Sequence, residues 1–142
     1  MLKGQCLCGT VQFKINLNDI NTIYQCHCSL CRKQTGTHAN FATLVNKEVF
    51  EWISGEDVIG TYQKETGFTS YFCQKCGSVL PNELSNGLAF WIPLGLIEND
   101  LHPTKKLDFH LSSKANWEDI AIEQQSFSHL PEWDKLKRFF KL

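Results

Sequence analysis

Seven cysteines stand at positions 6, 8, 26, 28, 31, 73 and 76 of the 142-residue chain, and none follows residue 76. They resolve into C-x-C, C-x-C-x2-C and C-x2-C, the middle group opening the stretch Cys26-His27-Cys28-Ser29-Leu30-Cys31-Arg32-Lys33. A disulfide framework favours an even cysteine count and an oxidising compartment, and this chain suggests neither. Ligation of zinc by thiolates accounts for the spacing better.

On an extended segment, side chains two residues apart share a face, so Cys6 and Cys8 can offer both sulfurs to one ion. In Cys73-Gln74-Lys75-Cys76-Gly77 the two-residue gap bends the backbone around a metal, and Gly77 can take the positive φ that closes the bend. Cys8-Gly9 repeats that Cys-Gly ending, so Cys6, Cys8, Cys73 and Cys76 read as two halves of one closed, structural zinc site. Cys26, Cys28 and Cys31 remain. They supply three ligands from one short loop, and a zinc ion so held keeps a fourth position for water or substrate. The alternative is that a histidine (His27, His38, His102, His110 or His129) closes this second site as well. Seven thiolates and two Zn2+ would leave the chain at about −4, so Arg32 and Lys33 either neutralise thiolate charge or receive an anionic substrate group such as a carboxylate.

The elements that position these residues read as mainly β. Residues 10–15 alternate polar and apolar as a half-buried strand does. Further short strands are expected at 41–45, 49–53, 58–62 and 69–72, the last running into the second cysteine knuckle. Leu88-Ala89-Phe90-Trp91-Ile92 suits a buried strand that Pro93 limits. Leu107, Phe109 and Leu111 would share one face of another strand. Only the C-terminus looks helical, with Pro131 at an early helical position and Trp133, Leu136, Lys137 and Phe140 at spacings of three and four. No linker, repeat or low-complexity segment interrupts the chain, so residues 1–142 are expected to form one domain.

Fourteen Lys and Arg against 15 Asp and Glu give a net charge of −1, without the basic field that nucleic-acid binding relies on. No apolar run is long enough to cross a bilayer and the N-terminus carries no signal-peptide core, which points to a soluble, cytoplasmic protein. The four tryptophans are expected mostly in the core, with Phe90 and Trp91 the best pocket candidates because they follow the second knuckle. His27, alternating with two ligands, should point away from their metal into a supporting or surface role. His38 is near enough in sequence to carry protons but reads as a polar surface residue.

The blocks Gly4 to Phe13, Cys26 to Gly36 and Phe72 to Ser78 resemble the three cysteine blocks of the glutathione-dependent formaldehyde-activating enzyme family, which also includes centromere protein V. Gly95-Leu96-Ile97, Leu101-His102-Pro103 and Ser113-Lys114-Ala115-Asn116-Trp117 are similar to its C-terminal pattern, although Asn116 stands where the family tends to have proline. The resemblance implies structural zinc at Cys6, Cys8, Cys73 and Cys76, and catalytic zinc at Cys26, Cys28 and Cys31. It implies a β-tent of coiled antiparallel sheets pinned by the four-cysteine zinc, here with a short C-terminal helix. The implied activity is that of a carbon-sulfur lyase acting on a small thiol adduct such as S-(hydroxymethyl)glutathione. A non-catalytic zinc-stapled binding module is the alternative. A thiol-redox protein ranks third, because it needs a free cysteine and all seven are assigned to metal.

Overall fold

The computed structural model describes residues 1–142, in which eleven strands and two α-helices follow one another. β1 (Leu2–Gln5), β2 (Gln12–Ile15) and β3 (Thr22–Cys26) precede α1 (Ser29–Thr35). β4 (Asn40–Asn46), β5 (Phe50–Ser54), β6 (Ile59–Gln63) and β7 (Thr69–Cys73) come next. β8 (Val79–Leu80), β9 (Asn82–Glu83), β10 (Ala89–Pro93), β11 (Lys105–Phe109) and α2 (Trp133–Phe140) complete the order.

The strands form three sheets, ordered β1-β2-β5, β11-β3-β4-β10-β9 and β6-β7-β8. The fold is mainly β with a short C-terminal helix, as the patterning implies. One ladder departs from antiparallel pairing: β11 runs parallel to β3, with Lys105 opposite Thr22 and Phe109 opposite Cys26. In β2 the alternation is realised directly. Phe13 and Ile15 are fully buried, while Lys14 faces out and pairs with Glu51 across the ladder at 2.9 Å. β10 lies inside the second sheet between β4 and β9, so four of its five residues are buried, which is why it reads as a continuous apolar run.

Leu2, Phe13, Ile15, Ile20, Val45, Phe90 and Ile92 form the main core, built from the first and second sheets. Phe50 stacks between Phe13 and Phe90, with ring centroids 5.5 and 4.0 Å away. A smaller cluster of Cys6, Val11, Cys73 and Leu80 joins the first sheet to the third.

Several expectations need correction. α1 is a second helix, so the middle cysteines do not sit on a simple loop. Its seven residues include none that is buried, which leaves no apolar periodicity to find. β11 ends at Phe109 because His110 adopts a φ of 58° and residues Leu111–Ser113 form a 3-10 turn, so Leu111 leaves the expected face. Trp117 and Trp133 lie outside the core, 55% and 61% exposed. No helix is long and apolar enough to cross a membrane.

Phe13→Ala should cost about 3–5 kcal/mol of stability, because the ring is fully buried and contacts both Phe50 and Trp52. Denaturant titration checks this: the midpoint should fall sharply while the slope stays constant.

Candidate metal centres

Two cysteine clusters form, in the partition that the spacing suggests. At the first, β1 ends at Gln5 and the chain turns at once: Gly9 N–H donates to the Cys6 carbonyl at 2.9 Å, with Gly9 at a φ of 72°. The C-x-C segment is therefore a turn rather than the extended segment expected of it. At the second knuckle β7 ends on Cys73, and Gly77 N–H donates to the Cys73 carbonyl at 2.8 Å with a φ of 75°. Both Cys-Gly endings thus use the left-handed conformation that glycine adopts without steric cost.

The sulfurs of Cys6, Cys8, Cys73 and Cys76 all lie within 4.8 Å of one another, with Cys6–Cys8 at 3.5 Å and Cys8–Cys73 at 3.9 Å. A tetrahedral ion with metal–sulfur bonds of about 2.3 Å sets its sulfurs about 3.8 Å apart, so the cluster can hold one metal with little movement. Ser78 links the knuckles: its Oγ accepts from Leu7 N–H at 3.0 Å and lies 3.3 Å from Cys76 Sγ. That hydroxyl and the Ser78 backbone push the Cys76 thiol down to about 5, so it is a ready thiolate.

Cys26, at the end of β3, meets Cys28 just before α1 and Cys31 within it in the second cluster. Cys28 caps α1, its sulfur accepting from Cys31 N–H at 3.4 Å while its carbonyl accepts from Arg32 N–H at 3.0 Å. Burial pushes the Cys26 and Cys31 thiols up. Cys28 feels burial too, but N–H groups of the first helical turn outweigh it and hold its thiol below the ordinary value. The three sulfurs lie within 4.8 Å of one another, and no histidine nitrogen joins them.

A cavity of about 300 Å³ opens on this second cluster, reaching Cys26 and Cys31. Leu44, Phe68, Trp91 and Phe109 give it apolar walls, and Tyr24, Gln34, Asn40 and Asn82 add polar groups. Burial, with Cys31 and Cys26 alongside, raises the Tyr24 phenol far above its ordinary value, so it keeps its proton. Of the expected pocket pair, Trp91 lines the cavity but Phe90 belongs to the core. His110 reaches the cavity whereas His38 does not; the latter sits 3.5 Å from Gln25 Nε2. Sequence reasoning missed Tyr24, Gln34, Asn40 and Asn82. Only Gln34 carried a local signal, three residues after Cys31 on the same helix.

The profile of the family described as glutathione-dependent formaldehyde-activating enzyme matches residues 1–112. The chain belongs to this family. Among curated proteins it is similar to a Halomonas elongata protein named "Putative glutathione-dependent formaldehyde-activating enzyme", 29% identical over 137 residues covering 88% of this chain and 84% of that one. Among solved structures, a crystal structure of a Rhodobacter sphaeroides protein covers 74% of this chain and 99% of its own, with a TM-score of 0.60 and 21% identity. That last likeness concerns the fold alone.

In this member of the formaldehyde-activating enzyme family, His27 has a buried supporting position. It is only 3% exposed, with Nδ1 2.9 Å from Glu118 Oε1 and Nε2 3.2 Å from Asp108 Oδ1. Burial pulls the imidazole toward its neutral form, but hydrogen bonds to Glu118 and Asp108 outweigh that and hold its pKa above the ordinary value. With a carboxylate on each nitrogen, the ring donates twice and carries charge. His27 N–H also donates to the Phe109 carbonyl at 2.9 Å, so the backbone between Cys26 and Cys28 is pinned to β11. Arg32 reaches the same C-terminal segment, Nη2 donating to the Ser113 carbonyl at 3.3 Å.

Glu118→Ala should cost about 1–3 kcal/mol, since it leaves a buried, charged imidazole with one partner. Amide hydrogen exchange around residues 113–118 should quicken. Glu118→Gln, which keeps an acceptor, should recover part of the protection.

Proposed function

We propose that residues 1–142 form one domain and a zinc-dependent carbon-sulfur lyase of the formaldehyde-activating type, acting on a small thiol–aldehyde adduct such as S-(hydroxymethyl)glutathione. Cys6, Cys8, Cys73 and Cys76 would hold a structural zinc, and Cys26, Cys28 and Cys31 a catalytic one. The observation that carries this reading is the asymmetry between the clusters: one gathers four sulfurs, whereas the other gathers three and faces a cavity.

In the forward direction a thiol adds to formaldehyde. The new bond joins sulfur to carbon, the carbonyl π pair moves to oxygen, and the thiol proton ends on that oxygen. A zinc ion held by Cys26, Cys28 and Cys31 would favour a substrate thiol as its thiolate, and the charge donated by three sulfurs would make strong carbonyl polarisation the lesser role. The chain's own residues do the rest. Leu44, Phe68, Trp91 and Phe109 give the cavity an apolar lining against which the two reactants would be held together. Tyr24, protonated, offers a hydroxyl donor at the wall. Asn40 Nδ2 donates to Gln34 Oε1 at 3.2 Å, Gln34 Nε2 to Ser70 Oγ at 3.0 Å, and Asn82 Nδ2 to Thr69 Oγ1 at 3.2 Å, which fixes three amides around the substrate space.

A non-catalytic zinc-stapled binding module is supported by exposed apolar residues after β11, among them Ile122, Leu130 and Trp133. It leaves the cavity beside the trio without a role. The partner we propose is a small-molecule thiol, with neither nucleic acid nor membrane involved.

NMR exchange spectroscopy of glutathione with formaldehyde tests the activity. Zinc-loaded protein should accelerate exchange over the protein-free rate, and Cys28→Ser should abolish the acceleration. No acceleration by fully loaded protein would refute this substrate pair. The metal partition predicts different fates for two variants. Cys76→Ser should be poorly soluble, while Cys28→Ser should fold and retain about one zinc per chain rather than two. Zinc analysis and circular dichroism distinguish them, and a stable, well-folded Cys76→Ser protein would contradict the partition.

A further inference from the structure

The cavity beside Cys26, Cys28 and Cys31 offers no lysine or arginine to a substrate. A second hollow, of about 310 Å³, adjoins it and shares Gln34 and Phe68 with it. Its other lining residues include Lys33 and Lys64. Both cations reach it by construction of the chain. In α1, Cys31 and Gln34 are three residues apart and share a face, whereas Lys33 lies about 100° round the helix from Gln34. Lys64 closes the turn between β6 and β7, its N–H donating to the Phe68 carbonyl at 2.9 Å and its carbonyl accepting from Gly67 N–H at 2.9 Å.

Neither ammonium has a carboxylate within ion-pair distance. Arg32, the neighbouring cation, is turned instead to the Ser113 carbonyl. The wall between the hollows is fixed, because Gln34 is held by both Ser70 and Asn40. An extended substrate can therefore place its sulfur at the trio and pass over Gln34 and Phe68 toward two unpaired cations. We propose that Lys33 and Lys64 form a subsite for the carboxylate of an anionic thiol. This rests on the thiol-adduct reading above and deepens it: apolar walls receive the reacting end, and the lysines select thiols with a negatively charged tail.

Calorimetric titration of zinc-loaded protein with glutathione and with its diethyl ester tests this, because the ester keeps the thiol and neutralises the carboxylates. The wild type should bind glutathione about tenfold more tightly than the ester. Lys33→Gln/Lys64→Gln should bind both as the wild type binds the ester, and Lys33→Arg/Lys64→Arg should restore the preference. Equal binding of the two ligands by the wild type, or a preference that survives the double Gln variant, overturns the subsite and leaves the thiol reading standing. Failure of both ligands to bind protein with full zinc content overturns both.

Discussion

Cys8 and Cys73 are 65 residues apart in sequence, yet their sulfurs lie 3.9 Å from each other. The first and third sheets share no ladder, and their junction is made where these sulfurs meet: a small apolar cluster, the Leu7–Ser78 hydrogen bond and four thiols. Two of the four, Cys6 and Cys73, are buried, while Cys76 is held as a ready thiolate. Anionic sulfurs at such separations repel one another strongly, and a divalent cation turns that repulsion into attraction. A metal ion in this cluster, as proposed, would add ligation to the apolar packing that already joins the third sheet to the first. β7 and β8 in turn bring the hairpin with Phe68 and Thr69 to the cavity.

The trio depends on a different set of contacts. Cys26 ends a strand, Cys28 caps a helix and Cys31 lies in its first turn, so the sulfurs are set by the junction of β3 with α1. His27 holds that junction from behind through Asp108 and Glu118, and Arg32 adds a contact to Ser113. None of these residues faces the cavity. The support lies on one side of the sulfurs and the open space on the other, an arrangement that leaves a held metal accessible. Such a site is coupled to local packing, whereas the four-cysteine cluster is coupled to how the sheets assemble.

Much of this was legible in residue type and spacing. The cysteine partition follows from the repeated Cys-Gly endings, and β2 and β10 follow from alternation and from a continuous apolar run. β1 escaped notice because Leu2 is its only large buried residue. α1 escaped because it buries nothing and is capped by cysteine rather than by the usual Ser, Thr, Asp or Asn. His27 lies outside the three-sulfur cluster, and its partners are 81 and 91 residues away, beyond any local pattern. The cavity draws on β3, α1, β4, β9, β10, β11 and the hairpin after β6, and only the folded chain brings those together.

Anomalous diffraction at the zinc edge, on crystals of the zinc-loaded protein, reads whether one metal site is closed and the other open. Two peaks are expected. One should have four sulfurs at about 2.3 Å, from Cys6, Cys8, Cys73 and Cys76, and the other three, from Cys26, Cys28 and Cys31, with a non-protein fourth ligand on the cavity side. A histidine nitrogen completing the second site, or a single peak in crystals with full zinc content, would contradict it.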